Sequence, residues 1–193
     1  MKIGTAVLAY NRPTHFKKVI HGIINEKIKE INVYIDGPEN LTIKKNQSKI
    51  ISHINKLKKK IKIKLIQQNK NYGLAFSVLN AIKSELKNND AMILIEDDCV
   101  PQKGFFNYMY KSLKKYKNEK KIKSICSYNN LNVTDKKKTF FLKRFNPWGW
   151  ATWRDRWTQF NPDIKFAIER LQAFGKINKL PLDLKTYCKN NSI

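Results

Sequence analysis

The sequence predicts an α/β fold with a mostly parallel central sheet and helices on both faces. Short apolar runs alternate with segments of helical periodicity, and these segments are long enough to connect neighbouring parallel strands. The chain has 193 residues, 41% of them hydrophobic, which suits one ordinary domain with its own core. This composition excludes a disordered chain, and no apolar run reaches the length of a membrane-spanning helix.

Four strands, each followed by a helix, are predicted in the first part of the chain. The apolar runs that predict strands cover residues 2–9, 31–35, 61–66 and 91–95. One-sided apolar spacing predicts helices at 14–26, 42–58, 74–86 and 102–116. After about residue 120 the alternation ends, and a strand at 122–126 and another at 139–142 precede a Trp-rich segment.

The chain is strongly basic, with 39 Lys and Arg against 15 Asp and Glu and a net charge of +24. This charge favours an anionic neighbour, such as nucleic acid, an acidic membrane or a phosphate-rich substrate. Only five positions hold Arg, whose planar guanidinium suits phosphate and base recognition better than Lys does. We therefore expect a solvated lysine surface and no nucleic-acid partner. Three cysteines without metal-ligand spacing favour a cytoplasmic location.

The residues that follow each predicted strand are the candidates for chemistry, because ligands of open α/β sheets bind beyond the carboxyl ends of the strands. They include Arg12, Asp36, the segment 69–73 and the three acids at 96–98. Consecutive carboxylates repel one another unless a cation offsets them. Mg²⁺ or Mn²⁺ needs only one or two carboxylates beside phosphate oxygens. The acids therefore predict a divalent-cation site, and a helix cap or solvated turn is the alternative.

Five segments together resemble bacterial glycosyltransferases of the GT-A fold, in the N-acetylglucosaminyltransferase I and family 2 group. They read VLAYNRP, YIDGP, NKNYGLAFSVLNAI, ILIEDDCVP and NPWGWATWRDRW, in this order within about residues 3–160. The resemblance implies one nucleotide-diphospho-sugar transferase domain over 1–193, with a nucleotide-sugar-binding half at 1–98 and an acceptor-side half at 99–193. It also implies inverting transfer of a sugar from a nucleotide-diphosphate donor to a glycan or lipid-linked acceptor in surface polysaccharide or lipopolysaccharide synthesis.

The resemblance assigns the donor side of the site. Its implied roles are metal binding for Asp98, diphosphate contact for Arg12, ribose contact for Asp97, donor-sugar contact for Glu96, nucleobase recognition for Asp36, and closure over the nucleotide for Lys70 and Gly73. Mn²⁺ or Mg²⁺ would be the cofactor. Two structural alternatives stay open. Arg12 could pair with Asp36 across neighbouring strand ends, and Gly73 could serve only to start a helix.

The acceptor side is implied by the Trp-rich segment and by a later acid. Trp148, Gly149 and Trp150 are expected to shape the acceptor pocket, whereas the helical spacing of Trp153 and Trp157 predicts core positions.

Asp183 matches the segment that carries the general base in these transferases, and a plain helix-start acid is its alternative. The family continues further than this chain, so the resemblance implies a shortened acceptor side and a weak or inactive catalyst.

Other functions compete with sugar transfer as explanations of these features. A sugar-nucleotide pyrophosphorylase would need a Gly-rich first loop, and residues 10–13 read Tyr-Asn-Arg-Pro. A non-catalytic basic module that binds nucleotide or nucleic acid would explain the charge but not the acids. The lysine runs at 56–64, 111–123 and 136–138 add an expected peripheral contact with the anionic inner face of the membrane.

Overall fold

A computed structural model of the protein describes residues 1–128, 139–142 and 145–160. The chain divides into two units, Met1–Trp157 and Thr158–Ile193, and every helix and strand given below belongs to the first. Among the described residues, no helix combines the length and the apolar character needed to cross a membrane.

One six-stranded mixed sheet lies at the centre of the described residues. Its strands are β1 (Ile3–Ala9), β2 (Glu30–Ile35), β3 (Lys62–Gln67), β4 (Ala91–Glu96), β5 (Ile125–Cys126) and β6 (Trp150–Trp153). The spatial order is β3-β2-β1-β4-β6-β5. The first four strands pair in parallel, and β6 runs antiparallel to both β4 and β5. The parallel strands therefore present all their carboxyl ends at one edge.

Helices connect the parallel strands. They are α1 (Pro13–Asn25), α2 (Leu41–Leu57), α3 (Leu74–Asn88) and α4 (Phe105–Lys115), and a short α5 (Arg154–Trp157) follows β6. Pro13 fits the first turn of α1, where its missing N–H has no partner to lose. Asn40 caps α2, because its side chain accepts a hydrogen bond from the Ile43 N–H at 2.9 Å. Gly73 is the N-cap residue of α3, and its φ of 85° favours glycine.

The sheet is covered on both faces, as the sequence predicts. Alternate residues of β1 face opposite ways, so Val7 packs in the cluster formed with α1, α2 and α4, whereas Leu8 packs in the cluster formed with α3. Ile20 and Ile93 are fully buried in the first cluster. The four predicted parallel strands and their helices are confirmed to within a few residues.

Two predictions of secondary structure are wrong. Residues 139–142 are described without a strand. The tryptophans do not form a helical stripe, because Trp150 and Trp153 lie on strand β6. A spacing of three puts two side chains on opposite faces of a strand: Trp150 joins the cluster under α3, and Trp153, which is 2% exposed, joins the other. Trp153 thus lies in the core as predicted, and Trp157 packs against the core while half-buried.

Candidate functional site

The carboxyl edge of the sheet brings Arg12 and the acids after β4 together. Because β1 and β4 are parallel neighbours, the residues that follow them lie side by side. Nη1 of Arg12 donates to Asp98 Oδ2 at 2.8 Å, and its Nη2 donates to Asp97 Oδ1 in a closer contact. The guanidinium therefore bridges two consecutive carboxylates, and in the structure Arg12 pairs with these acids rather than with Asp36.

The two bridged carboxylates differ in burial. The Asp97 side chain is 4% exposed and also accepts a hydrogen bond from the Tyr10 N–H at 3.3 Å. The Asp98 side chain is 38% exposed and also accepts a hydrogen bond from the Cys99 thiol at 3.5 Å. Asp97 is therefore a buried anchor for Arg12, whereas Asp98 presents carboxylate oxygen to solvent.

The acids carry more negative charge than Arg12 offsets. Burial raises the pKa of Glu96, and the charges of Asp98 and then Asp97 raise it further, while Arg12 lowers it. Burial, followed by the charge of Asp98, also raises the pKa of Cys99 to about 12, so this thiol is not a nucleophile. Three carboxylates therefore share one guanidinium at this edge.

The donor set fits a hard divalent cation that is completed by phosphate oxygens. Carboxylate oxygen is the ligand that Mg²⁺ and Mn²⁺ prefer, and Asp98 offers it at the surface. Within the described part of the chain, no three His, Cys, Asp or Glu side chains could by themselves enclose a metal ion. A cation here would need ligands from substrate, in the way that Mg²⁺ is held at many phosphate-transfer sites.

Asp36, at the end of β2, holds the loop that follows β3. Its carboxylate accepts hydrogen bonds from the Tyr72 N–H at 3.0 Å and from the Gly73 N–H at 2.8 Å, besides that of Gly37. The side chain is buried, and both of its oxygens are used. The contacts seen for Asp36 are therefore those of a loop anchor.

Gly37 permits the same loop to approach β2 closely. A Cβ at Gly37 would overlap the backbone of Lys70, and the Asn71 amide donates to the Gly37 carbonyl at 3.0 Å. The exposed Lys70 places its ammonium 5.0 Å from the Tyr72 ring centre. Lys70 and Gly73 thus lie on one anchored loop at the carboxyl edge of the sheet.

A groove of about 820 Å³ is lined in part by Asp98. Trp148 lines it, 49% exposed, with its ring 4.9 Å from that of Tyr128 in an edge-on arrangement. Gly149 also lines it with a φ of 68°, and a Cβ there would crowd the Phe105 ring at 3.0 Å. The structure therefore places two of the three expected acceptor-pocket residues in a groove with the expected metal ligand.

Trp150 lies elsewhere. It is 5% exposed and packs in the core cluster under α3, with the Phe145 ring edge-on to it at 4.8 Å. Gly149 immediately precedes β6, and Trp150 is its first residue. Moving one position along the chain here changes whether a residue faces the groove or the core. Asp183 lies outside the described residues.

Several groove residues were not anticipated. The loop after β4 contributes residues 99–104, and Ser127 and Tyr128 follow the two-residue strand β5. Ser127 fixes the Trp148 segment, because its hydroxyl donates to the Gly149 carbonyl at 2.9 Å. Residues 99–104 could have been expected, because ligands bind beyond the carboxyl ends of parallel strands. Ser127 and Tyr128 could not, because the two-residue strand β5 that precedes them leaves no clear pattern in the sequence.

Comparisons with known proteins bear on the fold. No family model matches the chain, and no curated protein sequence does. Among solved structures, a 4-diphosphocytidyl-2C-methyl-D-erythritol synthase from Anaerococcus prevotii aligns with a TM-score of 0.51 and 13% identity, over 89% of this chain and 84% of its own.

Two glycosyltransferase structures align over smaller parts. S. aureus TarS 1–349 has a TM-score of 0.47 and 16% identity, over 61% of this chain and 33% of its own. The mannosyltransferase PcManGT from Pyrobaculum calidifontis, solved with GDP-Man and Mn²⁺, has a TM-score of 0.44 and 15% identity, over 58% and 32%. This chain thus spans about a third of either protein. Strand order and the likeness to the synthase give the chain the GT-A, or nucleotide-diphospho-sugar transferase, fold that its sequence predicts.

Proposed function

We propose that this chain binds a nucleotide-diphosphate sugar at the carboxyl edge of its sheet and transfers the sugar to a glycan acceptor in the adjoining groove. The observation that carries this proposal is the bridge from Arg12 to Asp97 and Asp98, with Asp98 lining the same groove as Trp148. Charged groups suited to a diphosphate thus stand next to an aromatic surface on which a sugar ring can stack.

On the donor side, Asp98 would hold Mn²⁺ or Mg²⁺ together with the diphosphate, and Arg12 would lie beside the phosphates. The cation would stabilise the negative charge that builds on the departing diphosphate. Asp97 keeps Arg12 in position from its buried site. Glu96 faces the donor sugar in this proposal. A ribose contact by Asp97 remains the prediction that the family resemblance makes.

The nucleotide is covered by the loop that carries Lys70 and Gly73. The contacts of Asp36 with the Tyr72 and Gly73 N–H groups support a role in holding this loop at the nucleotide. Direct recognition of the nucleobase by Asp36 remains the prediction that the family resemblance makes.

On the acceptor side, Trp148 and Gly149 shape the groove in which the acceptor hydroxyl approaches the sugar. Inverting transfer needs a carboxylate to take the proton of that hydroxyl, and Asp183 is the candidate from the sequence. A role in surface polysaccharide or lipopolysaccharide synthesis on the cytoplasmic side of the membrane belongs to the same proposal.

A second candidate is nucleotidyl transfer, since the synthase from Anaerococcus prevotii has a similar fold. Against it, the first loop, residues 10–13, has no glycine to hold a triphosphate. The other alternative is a module that binds nucleotide or nucleic acid without catalysis.

Product analysis separates these functions. The full chain is incubated with Mn²⁺ and a panel of nucleotide sugars and glycan acceptors, and separately with nucleoside triphosphates and sugar phosphates. We expect release of nucleoside diphosphate that is lost in Asp98→Asn and kept in Asp90→Asn, which makes the same charge change just before β4. Release of pyrophosphate instead would assign nucleotidyl transfer, and nucleotide binding without any product would assign the non-catalytic module.

A further inference from the structure

An apolar segment, Phe140, Phe141 and Leu142, stands on the surface of the protein. The three side chains are 37%, 65% and 51% exposed. Single exposed apolar residues are common, but consecutive large ones form a patch of the kind that marks a contact with another molecule. The proposed sugar transfer makes no use of this segment.

The apolar segment lies beside the C-terminal end of α4. The Phe141 ring meets the Tyr116 ring edge-on at 5.6 Å, and Tyr116 directly follows this helix. The same end of α4 accepts a hydrogen bond from the Trp153 indole at 3.1 Å, and Trp153 pairs with Ala91 at the amino end of β4. Asp98 follows the other end of β4, about 20 Å away by the rise of a six-residue strand.

Exposed lysines surround this end of α4. They are Lys114, Lys115, Lys117 and Lys121. Among the described acids nearby, Glu119 is exposed, Asp155 is paired with Lys120 and Arg156, and the exposed Asp90 faces Arg154 and accepts a hydrogen bond from the Lys2 N–H. In the sequence the apolar segment is itself flanked by lysines at 136–138 and by Lys143 and Arg144, which lie outside the described residues.

The same edge of the sheet is basic beyond α4. In a parallel sheet, the connections that lead from a helix to the next strand lie at the amino ends of the strands. Here these connections and the helix ends beside them carry exposed lysines: Lys27, Lys29, Lys58, Lys59, Lys60 and Lys87. Apolar side chains thus project from a broad basic surface.

We propose that the apolar segment and the lysines at the end of α4 form a surface that binds an anionic lipid bilayer. Apolar side chains can enter the boundary between headgroups and acyl chains while neighbouring lysines attract anionic headgroups, and the two contributions together hold a protein at a membrane. The surface lies at the end of β4 opposite Asp98, so the groove stays open to the acceptor while the protein is bound.

Nucleic acid fits this surface less well. Two arginines described on this edge are used internally: Arg154 donates to the Asn89 carbonyl at 2.7 Å, and Arg156 donates to the Lys117 carbonyl at 2.6 Å. Lysine is a point charge suited to a diffuse anionic surface, whereas nucleic-acid readers rely on the planar fork of Arg. The exposed Leu142 has no aromatic ring that could stack on a nucleobase, but its aliphatic side chain suits the hydrocarbon region of a membrane.

Cosedimentation of the full chain with vesicles tests the proposal. One vesicle contains phosphatidylcholine alone, and the other contains it with about a third phosphatidylglycerol. We expect binding to the anionic vesicle that weakens with salt, a loss of about fivefold for each of Lys114→Gln, Lys115→Gln and Lys117→Gln, and a loss of about tenfold or more for Phe141→Ser. Phe141→Leu should bind like the wild type, because it keeps an apolar side chain.

Matched controls come from α2. Leu41→Ser changes an apolar side chain that is 82% exposed, and Lys44→Gln with Lys49→Gln removes two exposed charges. The Leu41 variant should bind like the wild type, and the α2 lysine variants should lose less affinity than those on α4. All variants change exposed residues, and thermal melting verifies that they fold. Unchanged vesicle binding by Phe141→Ser would overturn the proposal. So would binding of duplex nucleic acid that needs the α4 lysines while vesicle binding does not.

Discussion

At the scale of single residues, the site depends on how differently two adjacent acids are placed. Asp97 is buried and makes two structural contacts, with Arg12 and with the Tyr10 N–H. Asp98 is over a third exposed and pairs with Arg12 through Nη1. These two adjacent residues after β4 thus have different roles: Asp97 maintains the structure, and Asp98 is available to a ligand.

This difference predicts opposite outcomes for two alanine variants. Asp97→Ala should lower the free energy of unfolding by about 2 kcal/mol, because it leaves a buried N–H and a guanidinium edge without their acceptor. Asp98→Ala should cost under about 1 kcal/mol, since it removes an exposed ion pair and also relieves repulsion among the acids. Urea unfolding measures both. Equal losses in the two variants would contradict the assigned roles.

The sequence could predict the chemistry of these residues but not all of their partners. Arg12, Asp97 and Asp98 follow apolar strands, so their meeting at one edge follows from the parallel topology. The anchor made by Asp36 could not be predicted, because its partners are backbone N–H groups of a loop that carry no side-chain signal. Trp150 was misplaced because a one-residue register in β6 sets which face it occupies.

At the scale of elements, the carboxyl edge is held together by contacts between neighbouring loops. The loop after β2 supplies Asp36 and Gly37, and the loop after β3 supplies the N–H groups and the amide of Asn71 that bind to them. The hydroxyl of Tyr10, after β1, accepts from the same Asn71 amide at 3.1 Å. Three strand ends thus share one hydrogen-bonded network that positions Lys70.

Gly37→Ala should open this network. The added methyl group would overlap the Lys70 backbone, which is costly to move, so a loss of about 1–3 kcal/mol in unfolding free energy is expected. Trypsin should then cleave after Lys70 in the native protein faster than in the wild type. Gly73→Ala is the matched control. The Cβ that it adds would have no neighbouring atom within 4 Å, so the only expected cost is the strain of an alanine at a φ of 85°. Faster cleavage in Gly73→Ala than in Gly37→Ala would contradict the packing argument.

Strand and helix prediction succeeded where the signal was local. β1 and β4 are continuous apolar runs, and α1 shows one apolar face, so each could be assigned from its own residues. In β6, Trp150 and Trp153 are three residues apart, a spacing that is also found on one face of a helix. The strand conformation of β6 comes from its pairing with β4, which lies more than fifty residues earlier in the chain. Such long-range pairing leaves no periodic pattern in a four-residue segment.

At the scale of the whole fold, the described residues separate charge along the strand direction. The carboxyl edge holds Asp36 and the acids at 96–98 with Arg12 and Lys70, so the carboxylates outnumber these two cations. The opposite edge gathers lysines in the helix-to-strand connections or at the helix ends beside them. The net charge of +24 therefore does not weaken the acidic site directly, because exposed charges further apart than about 8–10 Å are largely screened by salt.

The central claim is that Asp98 and Arg12 create a metal-assisted diphosphate site, and calorimetric titration of nucleoside diphosphates tests it most directly. Wild type and Asp90→Asn should bind a nucleoside diphosphate at least about tenfold more tightly with Mn²⁺ than with a chelator present. Asp98→Asn should lose this dependence on the metal, and Arg12→Ala should weaken binding under both conditions because one phosphate-facing charge is gone. Tight binding by Asp98→Asn with an undiminished Mn²⁺ effect, or no nucleotide binding by the wild type at all, would contradict the account.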